Sequence, residues 1–141
     1  MSHDQELSLL PHGASFRFIH EVTDLAPGVS AVGKYKISGD EAFLEGHFPN
    51  HPMWPGVIMI EAIAQLGGIA AQSDPEHERL NDMRLTSVKN AKILGTATPG
   101  QHLIIEVKVE GRLGNLIQIS GSVSVEDGEK IASGVVMLSG N

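Results

Sequence analysis

From Met53 to Ala71 the chain reads M-W-P-G-V-I-M-I-E-A-I-A-Q-L-G-G-I-A-A, with Glu61 as its one charge. A run this apolar has to be covered on nearly all sides, either by lipid or by the rest of a folded domain. Its length approaches a membrane span, but Pro55, Glu61, Gln65 and the Gly67-Gly68 pair count against insertion. A carboxylate at mid-bilayer costs about 2.5–3.5 kcal/mol on insertion scales. The run is therefore expected as a helix from about Gly56 to Ala71, buried inside a soluble protein. Pro55 suits its start, and Ser73-Asp74-Pro75 suits its stop.

The flanking sequence supplies strands to cover that helix. Ser15 to Glu21 and Val29 to Ile37 have strand character and are joined by the turn residues Pro27-Gly28. Phe43 to Pro55 reads as loop. After a polar connection (Asp74 to Asp82) come four strand-like runs: Leu85 to Leu94, His102 to Val109, Leu116 to Val125 and Lys130 to Leu138. I-I-E-V-K-V-E alternates with period two, as a half-buried antiparallel strand does. Asp127-Gly128 is a strong hairpin signal, and Gly111 and Gly114 bracket a similar turn. One apolar helix and an antiparallel meander predict an α+β fold, a single domain over residues 1–141 with the sheet wrapped around the helix. The exposed edges of such a sheet make dimerisation a natural completion of the core.

Charge and composition narrow the function. The net charge is −7 and aromatics make up 4%, so neither phosphate neutralisation nor base stacking is favoured and no nucleic-acid partner is expected. Arg84, Lys89, Lys92 and Arg112 are close enough in sequence to form a local basic patch. The chain has no cysteine, which removes disulfides, thiolate metal sites and a cysteine nucleophile. The start, M-S-H-D-Q-E-L, shows no secretory signal, so a cytoplasmic location is expected, without a membrane partner.

The chemistry concentrates between Glu45 and Gln65. A carboxyl taken out of water holds its proton more tightly, and one that is neutral near pH 7 can act as a general acid. Glu61, flanked by Val57, Ile58, Ile60, Ala62, Ile63 and Ala64, fits that role. It equally fits a structural glutamate on the one wet stripe of the helix, and the residues alone leave both open. Gln65 lies about 40° around the helix from Glu61, at ~100° per residue, so the two share a stripe. His47 sits in a loop stiffened by Phe48, Pro49, Pro52 and Pro55, where an imidazole can serve as a base. A histidine that merely bonds a loop carbonyl is the commoner case. His3, His12, His77 and His102 have polar or terminal surroundings and His20 lies in a predicted strand, so these are expected as surface or packing residues. His51 follows His47 by four positions in a proline-containing loop and makes no helical zinc pair; no metal site is predicted. At Gly56-Val57 the unpaired N–H groups of a helix start face outward. A thioester carbonyl gaining negative charge would suit them, though an ordinary helix cap with glycine chosen for packing accounts for them as well.

The string G-H-F-P-x-x-P-x-x-P-G-V, followed by E-A-x-A-Q, closely resembles the signature of FabZ-type 3-hydroxyacyl-acyl carrier protein dehydratases. The similarity runs from L-L-P-H near Leu9 to the last strand. It implies a hot-dog fold, dimerised through its sheet, with His47 and Glu61 as a catalytic pair drawn from different subunits. It also implies that Gly56 offers its N–H to the thioester carbonyl, that no cofactor or metal is needed, and that a (3R)-3-hydroxyacyl thioester loses water to give the trans-2-enoyl product. Glutamate at position 61 favours the FabZ type over the FabA type, which has aspartate and also isomerises the double bond. The implied partners are acyl carrier protein or coenzyme A thioesters and a second copy of the chain, with a trimer of dimers as a further assembly. The substrate-binding residues are expected to be Gly56 and Val57, with Phe48, Pro55 and Gln65. Met53, Trp54, Ile58 and Met59 are expected to line or pack an acyl tunnel along the helix.

Three departures from the family pattern stand out. P-H-G-A-S-F replaces P-H-R-x-P-F; S-V-K-N-A-K-I-L-G-T-A-T-P-G-Q replaces the usual aromatic and basic run before P-G-D; and Trp54 stands where an aliphatic residue or phenylalanine is usual. They leave the catalytic pair intact and bear on chain length and pathway. The rival readings are a thioesterase on the same fold, which does not require G-H-F-P, and a non-catalytic acyl-binding partner subunit, which would be expected to have lost one of the pair.

Overall fold

In a computed structural model of the chain, residues 4–45 and 52–141 are described. Helix α1 (Gly56–Gln72) packs against a six-stranded antiparallel sheet. The strands are β1 (Glu21–Ala26), β2 (Ser30–Lys36), β3 (Arg84–Ile93), β4 (His102–Leu113), β5 (Leu116–Val125) and β6 (Lys130–Ser139), in the order β1-β2-β4-β5-β6-β3. Short 3₁₀ turns occupy Asp4–Leu9, Ala14–Phe16 and Ala42–Glu45.

The central strands alternate as their sequences predict. Leu103, Ile105 and Val107 of β4, Ile117, Ile119 and Val123 of β5, and Val136 and Leu138 of β6 are buried. Each such side chain contributes about 1.5–3 kcal/mol by leaving water. Opposite them, α1 buries Met59, Ile63, Leu66 and Ile69 completely, so the apolar run is enclosed within the domain. Among the described residues no helix is long and apolar enough to cross a membrane.

Glycines set how closely helix and sheet approach. A Cβ on Gly67 would lie 2.5 Å from Ile119 Cγ2, and one on Gly121 would lie 2.6 Å from Ile63 Cγ2. The helix starts after Pro55, which caps it in extended conformation (φ −62°, ψ 133°) without a side-chain bond. It stops at Ser73, whose N–H donates to Ile69 O (3.0 Å) and whose hydroxyl donates to Ala70 O (2.8 Å). Gly28, in the left-handed region at φ 75°, lets the β1–β2 turn reach the same carbonyl through its N–H (2.8 Å). The helix C-terminus is thus satisfied without a glycine cap.

The structure corrects two expectations about local geometry. Of Ser15 to Glu21 only Glu21 is strand; Ala14–Phe16 is a 3₁₀ turn and the next residues are irregular. Strand β4 continues past Val109 to Leu113, with a register shift between Val109 and Gly111, so Gly111 lies within the strand and Gly114, at φ 59°, makes the turn. The β5–β6 hairpin turns at Asp127-Gly128 as expected, with Asp127 in the left-handed region (φ 60°) that short polar side chains tolerate.

Candidate active site

Glu61 projects from α1 into a narrow, partly open cleft. One face of the helix (Glu61, Ala64, Gln65, Gly68, Gln72) forms one wall. Leu9, Leu10, Pro11 and His12 form a second, and Met83, Arg84 and Leu85 with Leu138 complete it. Its surface is mostly apolar, with Glu61, His12 and Arg84 as the charged or titratable groups on its walls. Gln72, at the end of α1, is fixed by bonds in both directions to Leu80: its amide donates to Leu80 O (2.6 Å) and accepts from Leu80 N–H (3.0 Å).

The Glu61 side chain is 18% exposed and its orientation is constrained. Gln65 Nε2 donates to Glu61 Oε2 (3.0 Å) and to Phe16 O (2.8 Å), while Gln65 Oε1 accepts from Phe18 N–H (2.8 Å). Gln65 itself is 2% exposed. Its amide therefore ties the carboxylate to the segment before β1, which retains free backbone groups because it is not strand. The shared helical stripe expected from the four-residue spacing is realised as this hydrogen bond.

His12 is the residue whose place beside Glu61 the sequence did not show. Expected at the surface or in packing, it stacks on Phe16 (ring centroids 5.7 Å apart) and brings Nε2 to 3.5 Å from Glu61 Oε2. Arg17 Nε holds the His12 carbonyl at 2.9 Å. No periodicity or spacing links position 12 to position 61; only the fold of the lead-in brings them together.

His47 and Phe48 lie outside the described residues, as do His3 and His51. Trp54 and Pro55 are buried, and Trp54 packs among Phe18, Tyr35 and Phe43 with ring centroids 5.0–6.1 Å away. Met59 is fully buried, Met53 and Ile58 are half-buried, and Val57 is 76% exposed. A Cβ on Gly56 would meet Ile93 Cγ1 at 2.9 Å, so glycine lets the helix start approach the end of β3. No acidic residue occupies the first turn, and the first N–H groups of a helix have no partner within it.

Beside the aromatic cluster, the Tyr35 hydroxyl donates to Glu41 Oε2 (2.9 Å). Burial first, then that bond and the Glu41 charge, push the Tyr35 phenol well above its ordinary range. Burial works against Glu41, but hydrogen bonds from its own N–H, from Ser38 and Gly39, and from Tyr35 outweigh it and hold the carboxyl below its ordinary value. His20, stacked on Tyr35 at 3.9 Å, is lowered by burial, which outweighs the attraction of Glu41. Among the described residues no three metal-ligating side chains converge. Of the basic residues, Arg84 lines the Glu61 cleft and Lys89 and Lys92 follow it on β3, whereas Arg112 sits elsewhere and donates to Glu78 O (3.1 Å).

Comparison with known proteins agrees with this geometry. The dehydratase heterocomplex ApeI:P from Xenorhabdus doucetiae superposes with a TM-score of 0.79 at 18% identity, covering 94% of this chain and 88% of that one. Zebrafish thioesterase superfamily member 2 superposes at 0.73 with 15% identity, covering 98% and 95%. At those identities the likeness establishes the hot-dog fold alone. In sequence, the 3-hydroxyacyl-[acyl-carrier-protein] dehydratase FabZ of Clostridium acetobutylicum is 36% identical over 133 residues, covering 92% of this chain and 91% of its own. The protein of the same name from Chloroflexus aggregans is 36% identical over 110 residues, 78% of this chain and 76% of its own. The family model of the FabA-like domain matches residues 10–134, from the wall of the cleft to β6, and the chain belongs to that family.

Proposed function

We propose that this protein is a hydro-lyase that converts (3R)-3-hydroxyacyl thioesters on acyl carrier protein into trans-2-enoyl thioesters, in fatty-acid or related biosynthesis. The observation that carries the reading is Glu61: the one charged residue of α1, oriented by a buried glutamine of the same helix, at a mostly apolar cleft. In the proposed reaction His47 takes the α proton. The electrons of the broken C–H bond become the Cα–Cβ double bond, and the β C–O bond breaks. Glu61 protonates the leaving hydroxyl, which departs as water, or positions a water for it. The N–H of Gly56 stabilises the enolate-like thioester oxygen. General acid–base assistance of this kind contributes about 10²–10⁴-fold per group.

A homodimer belongs to the same proposal, with His47 of one copy facing Glu61 of the other. Supporting it, the outer edge of β3 is unpaired among the described residues, and Val88, Ile93, Leu94 and Val57 are exposed along it and at the helix start. Such an edge calls for cover. Carrier recognition is assigned to Arg84, Lys89 and Lys92, whose reversal should raise KM for carrier-bound substrate more than for coenzyme A thioesters. A cytoplasmic setting goes with this reading.

The test is hydration of crotonyl-coenzyme A, followed by loss of enoyl thioester absorbance, in wild type, His47→Ala and Glu61→Gln. Collapse in both variants with folding intact supports the assignment. An inert wild type that instead releases free thiol from acyl thioesters would replace it with a thioesterase.

A further inference from the structure

We propose that His12 is a positioning residue for Glu61, closing on its carboxylate when an acyl thioester fills the cleft; the inference rests on the dehydratase reading above. His12 and Gln65 approach the same oxygen, Glu61 Oε2, at 3.5 and 3.0 Å. The glutamine contact is a formed hydrogen bond. The histidine contact is a few tenths of an ångström too long for one, and catalytic contacts of this kind commonly tighten only with ligand bound.

The imidazole is set up to make that closure. Its Nδ1 is buried without a partner among the described residues, so an N–H placed on Nε2 points at the carboxylate rather than into the protein. The ring stacks on Phe16, whose carbonyl takes the other hydrogen of the Gln65 amide. Arg17 Nε fixes the His12 backbone. The segment Pro11 to Phe18 thus carries the histidine and fixes the glutamine of α1 through its backbone, and both approach Oε2. With Oε2 held twice, Oε1 is the oxygen presented to the departing hydroxyl. The other charged group at the cleft wall is Arg84.

The experiment compares His12→Ala, His12→Phe and His12→Gln in enoyl-thioester hydration. Phenylalanine keeps the stack without a donor, and glutamine restores an N–H at similar reach. Misplacing a catalytic group costs on the order of 10²-fold per ångström, so the Ala and Phe variants should lose roughly 10- to 100-fold in kcat. KM should stay within about twofold, and Gln should recover much of the loss. In a Glu61→Gln background His12→Ala should add little, since groups acting as a unit are non-additive.

Retention of kcat in His12→Ala, equal loss in all three variants, a loss confined to KM, or full additivity with Glu61→Gln would each overturn the proposal. A second measurement does not need turnover: the ¹⁵N resonance of His12 Nε2 should shift between wild type and Glu61→Gln. An unchanged resonance overturns the contact even if the protein dehydrates as proposed. An inert wild type whose resonance does shift would refute the dehydratase reading and leave the contact standing.

Discussion

Gly67 and Gly68 are neighbours in the middle of α1, yet alanine should act on them with opposite sign. Either substitution recovers backbone entropy worth about 1 kcal/mol in a helix interior. At Gly68 the new methyl meets nothing nearer than Leu138 Cδ1 at 3.7 Å, an ordinary contact, so the gain survives. At Gly67 it would sit 2.5 Å from Cγ2, 2.7 Å from Cγ1 and 3.1 Å from Cβ of Ile119. Carbon atoms prefer about 3.5–4.0 Å, and Ile119 is fully buried within β5, so no single rotamer change relieves the clash. Helix and strand have to separate by about 1 Å, at an overpacking cost of roughly 2–3 kcal/mol. Net, Gly67→Ala should lose about 1–2 kcal/mol, whereas Gly68→Ala should gain about 0.5–1 kcal/mol. At about 3 °C per kcal/mol for a chain of this size, the two melting points should differ by roughly 5–9 °C. Denaturant and thermal unfolding at one fixed protein concentration would measure this, the concentration mattering if the chain associates. A Gly67→Ala protein as stable as wild type would refute the claim that glycine sets the depth of the helix in the sheet.

The remaining predictions concern the site and its surroundings. Gln65→Leu should cost about 2–4 kcal/mol, since it strands the Phe18 N–H and breaks two further bonds; a change under about 0.5 kcal/mol in urea unfolding would show that water replaces the amide. Trp54, the chain's one tryptophan, is 2% exposed, so its emission should be blue-shifted in the native state and Trp54→Ala should destabilise by about 3–5 kcal/mol. Glu41 titrates below its ordinary 4.5 in the folded chain, so its contribution is present above that value and lost as pH falls through the depressed one. Glu41→Gln should therefore flatten the loss of stability below pH 4.5; an unchanged acid limb would assign that loss to other carboxylates.

Much of the architecture was legible because it depends on burial patterns within a window. The run around Glu61 could only be a covered helix, and I-I-E-V-K-V-E could only be a strand with one wet face. The stripe shared by Glu61 and Gln65 followed from helical spacing, and their hydrogen bond is how the structure realises it. What was not legible depended on distant partners. Ser15 to Glu21 has strand composition, but composition does not say whether its backbone bonds a neighbouring strand or a side chain from α1. Trp54 was expected to line or pack the tunnel, and the sequence could not show that the aromatics it packs among come from positions 18, 35 and 43. His12 gave no local signal at all. The bulge at Gly111, which carries β4 on to the Gly114 turn, was similarly hidden behind a plausible nearer turn.

The early end of the pairing between β1 and β2 therefore has a cost and a benefit on the same atoms. The N–H of Phe18 and the carbonyl of Phe16 are groups that a longer β1 would commit to the sheet; here Gln65 takes both. Substitutions that raise the strand propensity of residues 15 to 19 would then compete with the site. They could leave the fold more stable and Glu61 less well aimed. In this protein the sheet's irregular margin is what holds the Glu61 carboxylate in place, and optimising it for regularity would give a more stable chain with a less well-held carboxylate.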